Sequence, residues 1–281
     1  MEEKTVKSMN LALARPTERL YLLIPKEMED QLKQTFHLKE VFVSPNLVDD
    51  EEINLRDTCR ALAGNLDKYI IDNTVVAVSW GNTLNCLAGQ IQPLKAKDIK
   101  VVQLNGGVAK SASSTGASQI VDALTMAGHG IGYMFPVPAI VDSKHTSEIL
   151  QEETQVKNVL RLAKEAEVSI FSIGALSKDS ILYEVEYLKD EDFQALEKNK
   201  AVGDIASRYF DINGNIALKE LDDRVVGFGL EELREKEWTI AIAVGVNKVD
   251  AIIGALRAGF MNVLYTDEKT AREILNRNLL G

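Results

Sequence analysis

The sequence predicts an α/β fold in which a mostly parallel sheet carries helices on both faces. Short β-branched apolar runs alternate along the chain with longer segments whose apolar residues recur at i, i+3 and i+4. Several of the short runs are apolar on both faces, as central strands of a parallel sheet are. Apolar residues make up 46% of the 281 residues, which is enough to build a large core.

This alternation places the individual elements. Strands are predicted at 21–24, 41–44, 74–79, 99–104, 131–135, 168–173, 239–244 and 262–266. Helices are predicted at 27–36, 51–66, 83–91, 117–127, 147–165, 248–258 and 267–276. No linker or repeat interrupts residues 20–281, which predicts one domain, whereas residues 1–19 are polar and are expected to form an N-terminal arm or a residual linker. Residues 177–237 are less regular and predict a small subsidiary lobe, with a turn at Asn213 and Gly214.

Charge and composition exclude several classes of protein. A net charge of −10 has the wrong sign for a chain that grips nucleic acid by itself. The sequence has neither a membrane-length apolar run nor a basic leader, so a cytoplasmic location is expected. Cys59 and Cys86 lack CxxC spacing and the three histidines form no ligand pair. We therefore expect no disulfide framework, no metal and no other cofactor.

The turn after the predicted strand 74–79 is the first candidate site. It reads Trp80-Gly81-Asn82-Thr83 and leads directly into a helix. Ligands of open α/β sheets bind beyond the carboxyl ends of the strands, and unpaired N–H groups at a helix start suit phosphate. The alternative is an ordinary strand–helix turn in which Asn82 or Thr83 caps the helix.

Three other strand ends carry polar residues. Asn105-Gly106-Gly107 combines an amide donor and acceptor with a backbone that allows close approach, although Asn-Gly is also a common turn pair. Lys248 is predicted in the first turn of a helix, where a cation opposes the helix dipole unless an anion lies nearby; the alternative is a solvated lysine. Asp267-Glu268 is interpreted as ordinary charge placement at a helix start.

The order of these motifs resembles the C-terminal sugar-binding domain of SorC-type bacterial transcriptional regulators, which include central glycolytic and deoxyribonucleoside regulators. The resemblance runs from about residue 20 to the C-terminus. Its motifs are LKEV (38–41), VSWGNT (78–83), VVQLNGG (101–107), AVGD (201–204) with YFD (209–211), DRVVG (223–227), Gly245 with Lys248, and NVL (262–264) with TDE (266–268).

The resemblance implies a Rossmann-like sheet of the sugar-phosphate isomerase and glucosamine-phosphate deaminase type, used as a sensor. It implies that the Gly81-Asn82-Thr83 turn holds the phosphate of a phosphosugar effector and that Lys248 contacts the same ligand. Asp204 is implied to accept hydrogen bonds from sugar hydroxyls. The effector-binding set is completed by residues that follow the strand at 99–104: Asn105, Gly106, Gly107 and Thr115.

Two departures from the family pattern limit this expectation. Some members have arginine or lysine at the position of Asn105, and a lysine there could form a Schiff base with an open-chain aldose. Asn105 cannot, and the site loses a cation, which argues against a second phosphate on the ligand. The family also carries a helix-turn-helix ahead of the sensor domain, for which residues 1–19 are too few. Operator DNA is therefore expected to bind only through a helix-turn-helix absent from this chain.

Three functions compete at this point. The first, which we expect, is a phosphosugar-sensing effector domain whose ligand modulates the oligomer, a dimer or tetramer by family resemblance, and hence DNA binding. The second is a sugar-phosphate isomerase or deaminase-like enzyme; Asp204 is its only reasonable base candidate and has no histidine partner. The third is a structural oligomerisation domain. No GxSxG elbow, P-loop lysine motif or post-strand GxGxxG favours catalysis.

Overall fold

The structure is a computed structural model that describes residues 16–107, 117–184 and 186–280. Seven strands form the main sheet, and every pair of neighbours in it is parallel. They are β1 (Glu40–Ser44), β2 (Val75–Val78), β3 (Lys100–Gln103), β4 (Ile131–Tyr133), β5 (Val168–Ser172), β9 (Trp238–Ile242) and β10 (Val263–Asp267). A second, antiparallel sheet consists of β6 (Gly174–Ala175), β7 (Ala201–Ile205) and β8 (Arg208–Asp211).

The strand order of the main sheet is β1-β10-β9-β5-β2-β3-β4. The chain builds outward from β2 to β3 and β4, then returns to add β5 on the other side of β2. The direction of winding therefore reverses between β2 and β5. In open α/β sheets this reversal opens a crevice at the carboxyl ends of the two strands, where ligands bind.

Eleven α-helices surround the sheets among the residues described. They are α1 (Pro16–Thr35), α2 (Glu51–Ala63), α3 (Asn82–Ala88), α4 (Ala117–Ala127), α5 (Lys144–Glu152), α6 (Thr154–Glu165), α7 (Ile181–Glu184), α8 (Asp190–Lys198), α9 (Lys219–Asp222), α10 (Val249–Arg257) and α11 (Glu268–Leu280). None of these helices is long and apolar enough to cross a membrane.

Helices cover both faces of the main sheet, which confirms the predicted fold class. One apolar cluster joins the inner side of α10 to strand residues such as Phe171 and Ala241. A second cluster lies among strand residues such as Val76 and Ile170 and includes Cys59 of α2. A third, smaller cluster fills the lobe around β8 and α8. The small sheet and the short helices α7, α8 and α9 form the predicted subsidiary lobe.

Two secondary-structure predictions are wrong. Residues 21–24 are not a strand but part of α1. Ile24, Met28 and Leu32 recur every four residues, and Met28 and Leu32 are buried, so a helical period continues through the apolar run. Helix α1 also runs across residues 19 and 20, where the sequence predicts the boundary between the N-terminal arm and the domain. That domain boundary stays a prediction. The single helix predicted at 147–165 is two helices, because Glu153 has extended backbone angles between α5 and α6.

The predicted turn at Asn213 and Gly214 is confirmed. Gly214 has a φ of +79°, its N–H donates to Asp211 O, and Phe210 bridges to Ile216 on the far side of the turn. A side chain at position 214 would also collide with Ala258 of α10, because an added Cβ would lie 2.2 Å from the Ala258 Cβ. The glycine therefore meets both a backbone and a packing requirement.

Candidate functional site

A cavity of about 290 Å³ lies at the point where β2 and β5 diverge, between the main sheet and the small sheet. Its walls come from chain segments that follow β2, β3, β5 and β9 and from the β7–β8 turn. The lining residues are Ser79, Trp80, Gly81, Asn82, Thr83, Asn105, Ser172, Ile173, Gly174, Ala175, Ser177, Asp179, Ser180, Ile181, Leu182, Asp204, Ala206, Ser207, Asn247 and Lys248. Six of the predicted site residues meet here: Gly81, Asn82, Thr83, Asn105, Asp204 and Lys248.

The turn between β2 and α3 opens onto this cavity. Gly81 has φ +128° and ψ 175°, a conformation that is essentially restricted to glycine. No described residue accepts a hydrogen bond from the main-chain N–H of Gly81 or Asn82. The turn therefore presents main-chain donors without internal partners, as an anion-binding loop requires.

Lys248 brings a positive charge to the same cavity. It ends a short 3₁₀ turn, Val246–Lys248, and immediately precedes α10. Burial lowers the pKa of Lys248, and the negative groups Glu51 and Asp204 oppose this effect. Within the described part of the chain, no acceptor is in hydrogen-bond contact with Lys248 Nζ and no carboxylate forms an ion pair with it. A bound anion would relieve the unfavourable burial of this charge.

Asp204 faces the cavity from the small sheet. Burial raises its pKa to about 6, although the Ser207 N–H, which donates to Asp204 Oδ2 at 3.0 Å, and the charge of Lys248 both act in the opposite direction. Its strand neighbour is Gly174 of β6, where an added Cβ would lie 2.2 Å from Asp204 Oδ1. Glycine at 174 therefore leaves room for the carboxylate.

Two buried polar side chains in the cavity wall have an atom without a partner. Asn105 is 2% exposed, and its Nδ2 donates to Ser207 Oγ at 3.0 Å. Neither Asn105 Oδ1 nor Ser79 Oγ contacts a hydrogen-bonding group among the described residues. Leaving such atoms unpaired costs about 1–3 kcal/mol each, so a polar ligand that bonds them would recover part of that free energy.

Gly106 and Gly107 do not line the cavity. The Gly106 N–H donates to Val226 O and the Gly107 N–H donates to Val137 O. A Cβ at position 106 would lie 2.4 Å from Pro138 O, so this glycine admits the close approach of another segment of main chain. Their part in ligand binding stays a prediction, and Thr115 lies outside the described residues.

Sequence reasoning missed the wall formed after β5. Ser172, Ile173 and Gly174 line the cavity because β5 lies beside β2, and the segment 177–182 follows them. Small residues at the end of a predicted strand were the available signal. The sequence gives no strand order, so it does not reveal that this strand end and the one before Gly81 are neighbours.

Comparison with known proteins identifies the family. The family described as "Putative sugar-binding domain" matches residues 24–276. The deoxyribonucleoside regulator of Bacillus subtilis (strain 168) is 32% identical over 245 residues, which cover 87% of this chain and 78% of the relative. The transcriptional regulator LsrR of Escherichia coli (strain K12) is 31% identical over 256 residues, covering 89% of this chain and 77% of the relative. Both relatives are named as regulators and not as enzymes.

Solved structures agree with this result. A DeoR family transcriptional regulator from Listeria monocytogenes superposes with a TM-score of 0.82 at 27% identity, covering 89% of this chain and 99% of the other. The full-length sorbitol operon regulator SorC from Klebsiella pneumoniae also gives a TM-score of 0.82, at 23% identity and with 89% and 81% coverage, which supports the fold alone. The expectation of a non-enzymatic, regulator-type domain is confirmed: this chain belongs to the sugar-binding domain family of SorC-type transcriptional regulators.

Proposed function

We propose that this domain senses a phosphorylated sugar in the cytoplasm and that binding alters how its subunits associate and how the regulator binds DNA. The observation that supports the proposal is the positively charged side chain of Lys248 in the cavity. Lys248 lacks an ionic partner in contact among the described residues, and it shares the cavity with the unpaired N–H groups of Gly81 and Asn82. A phosphate group fits this combination because it accepts several hydrogen bonds and carries negative charge.

The remaining polar groups of the cavity suit hydroxyls. Asp204 accepts hydrogen bonds when ionised, and Asn105 Oδ1 and Ser79 Oγ have no partner in the described part of the chain. A sugar presents several O–H donors on one small scaffold. The phosphate would then lie at the main-sheet side of the cavity and the sugar hydroxyls toward the small sheet.

The charges of the cavity argue for a single phosphate. Lys248 is the only basic residue among the described lining residues, whereas Asp179 and Asp204 are acidic. A second phosphate would add negative charge near these carboxylates without a cation to balance it. We expect sugar monophosphates to bind more tightly than the corresponding bisphosphates.

The regulatory step follows from differential affinity. A ligand shifts a quaternary equilibrium only when it binds one arrangement more tightly than the other. The cavity lies between two sheets, so a ligand that contacts both would favour one relative placement of them. Sedimentation velocity with and without the ligand would test whether the homo-oligomer changes.

The decisive experiment is a thermal-shift screen of phosphorylated and free sugars against the wild-type protein. Ligand at a hundredfold excess over Kd stabilises the folded state by about 2.7 kcal/mol. For a domain of this size, that corresponds to a rise in Tm of about 5–10 °C. One or a few sugar phosphates should produce this rise, and an equal response to the free sugars would contradict the phosphate assignment.

The matched variants are Lys248→Met and Lys198→Ala. Lys248→Met keeps the aliphatic stem but removes the charge, so the affinity for the active phosphosugar should fall by about 30-fold or more, the equivalent of about 2 kcal/mol. Lys198 is exposed in the last turn of α8 and lies outside the cavity, so Lys198→Ala should bind as the wild type does. NMR of the same mixtures should show no aldose–ketose exchange.

A further inference from the structure

The two cysteines of the chain lie together beneath the Gly81–Thr83 turn. Cys59 belongs to α2 and is fully buried, and Cys86 belongs to α3, is partly exposed and packs against the apolar cluster that contains Cys59. Cys59 Sγ lies 3.7 Å from the main-chain oxygen of Thr83. Thr83 and Cys86 are three residues apart in α3, so they lie on the same face of that helix. Both thiols are free.

The two neighbouring thiols perturb each other's ionisation. A hydrogen bond from Cys59 lowers the pKa of Cys86 to about 7, with help from the nearby Arg56 and against the effect of burial. The same hydrogen bond, together with burial, raises the pKa of Cys59. The shared proton therefore stays on Cys59, and Cys86 is partly ionised near neutral pH. The thiolate is the form of cysteine that attacks oxidants.

We propose that Cys86 and Cys59 form a peroxide-sensitive pair that closes a reversible disulfide between α2 and α3, directly below the Gly81–Thr83 turn. Three geometric observations support the pair. Cys59 Sγ lies 3.7 Å from Thr83 O in the first turn of α3, and Cys86 follows on the same face of that helix and packs against the cluster that contains Cys59. Cys86 is partly exposed, and Cys59 is fully buried. This arrangement of an accessible attacking thiol beside a resolving thiol is what a cysteine redox sensor requires.

The reaction proceeds in two balanced steps with hydrogen peroxide as the oxidant. The Cys86 thiolate attacks one peroxide oxygen, an S–O bond forms, the O–O bond breaks, and the departing hydroxide takes up a proton to become water. Cys86 sulfur is oxidised by two electrons and the peroxide is reduced. Cys59 sulfur then attacks the sulfenic sulfur of Cys86, an S–S bond forms, and hydroxide leaves with the Cys59 proton as a second water. A dithiol reductant reverses the link by exchange.

Disulfide formation should change the ligand turn. Bonded sulfurs lie about 2.05 Å apart, closer than two thiols can lie without a bond, so Cys59 and Cys86 must approach each other. Cys59 then leaves its position against Thr83 O, and α3, which begins in the turn, shifts with Cys86. This consequence rests on the proposed function, because it concerns the affinity of that same turn for phosphosugar.

The test begins with the reduced full chain, treated with hydrogen peroxide and then with a thiol-alkylating reagent. Intact mass should show the loss of two hydrogens and no alkylation, peptide mapping should find Cys59 linked to Cys86 within one chain, and dithiothreitol should restore two alkylatable thiols. A cross-link between chains, or two thiols that remain free after peroxide treatment, would overturn the proposal.

Two variants separate the roles. Cys86→Ser should leave Cys59 unoxidised, because Cys59 is buried and protonated. Cys59→Ala should instead add one or more oxygens at Cys86, because no resolving thiol is present, and it should do so more slowly than the wild type reacts, because the interaction with Cys59 that lowers the pKa of Cys86 is lost. Should Cys59→Ala fail to fold, the mapped link in the wild type and the inert Cys86→Ser protein still decide the question.

The coupling to ligand is measured by calorimetry on the same samples, with the phosphosugar identified in the thermal-shift screen. Oxidised protein should bind at least about tenfold more weakly than reduced protein, a loss of about 1.4 kcal/mol, and should recover on reduction. Equal affinities would remove the coupling while leaving the disulfide. If the reduced protein binds no phosphosugar, the proposed function fails, and the mass measurements alone decide whether the cysteine pair is correct.

Discussion

The turns that follow β2 and β3 contain the same sequence signal and serve different ends. In the first, the N–H groups of Gly81 and Asn82 have no partner among the described residues, and the turn lines the cavity. In the second, the N–H groups of Gly106 and Gly107 bond to carbonyls of Val226 and Val137. A glycine after a strand therefore indicates close approach of some group, and only the fold reveals whether that group is a ligand or another segment of the chain.

The largest expected effect is that of Gly106→Ala. The new Cβ would lie 2.4 Å from Pro138 O and 2.5 Å from Val137 O, and main-chain atoms cannot move aside as a flexible side chain can. We expect the free energy of unfolding to fall by about 3 kcal/mol or more, measured by urea denaturation. Gly107→Ala is the matched control, since its Cβ meets no atom of the described residues within 4 Å. Equal losses for the two variants would contradict the structural role given to Gly106.

Gly81→Ala should have a smaller effect on stability but a direct effect on binding. In the part of the chain that the structure describes, its Cβ also meets no atom within 4 Å, so the cost comes from the left-handed backbone, about 1–3 kcal/mol. The turn relieves this strain by changing conformation, which moves its N–H groups away from the cavity. Calorimetry should show weaker phosphosugar binding, and unchanged affinity would contradict the assignment of this turn to the ligand.

Asp204→Asn should stabilise the protein while weakening its ligand response. The pKa of Asp204 is raised from an ordinary 3.8 to about 6, so the unfolded chain ionises first as pH rises. The stability that this carboxyl contributes is complete below pH 3.8 and is lost as pH rises through 6. The variant should therefore gain about 3 kcal/mol over wild type by neutral pH, and the gain should disappear below about pH 4.

Unfolding free energies measured from acid to neutral pH check this prediction. Parallel curves for wild type and Asp204→Asn would show that burial does not perturb the carboxyl. Binding measured on the same samples distinguishes a functional carboxylate from a structural one, because a group kept at a cost to stability is expected to act on the ligand.

The smallest effect concerns the link between the two turns. Trp80 lines the cavity, and its Nε1 donates to Gly106 O at 2.8 Å. Trp80→Phe removes this bond and should cost about 1 kcal/mol in unfolding free energy. Trp238→Phe is a suitable comparison, since the indole Nε1–H of Trp238 has no acceptor among the described residues. If Trp80→Phe leaves stability unchanged, the two turns are not held together by this bond.

The sequence predicted most of the parallel sheet because each strand has its own local pattern. The error at 21–24 arose because four apolar residues fit both a short strand and one turn of a helix. The break at Glu153 was missed because both flanking segments have helical periodicity. Local apolar patterns therefore predict helices and strands well, but they predict the boundaries between them poorly.

The candidate site was predictable where its residues follow recognisable strands. Gly81, Asn82, Thr83, Asn105, Asp204 and Lys248 meet in one cavity, although they are spread over more than half of the chain. The wall after β5 and the closed packing of Gly106 were not predictable, because both depend on which strands are neighbours. The pairing of Cys59 with Cys86 depends on the packing of α2 against α3 and was equally hidden.

The buried oxygen Oδ1 of Asn105, which has no hydrogen-bond partner among the described residues, has a consequence for ligand selectivity. A deoxygenated analogue that offers no hydrogen at that point would leave Asn105 Oδ1 buried and unpaired, so it would not gain the free energy that a hydroxyl recovers by bonding this oxygen. Such an analogue binds more weakly because a hydrogen bond is missing, not because of a collision. Discrimination of this kind requires no change of shape, and it lets a small cavity distinguish compounds that differ by a single oxygen atom.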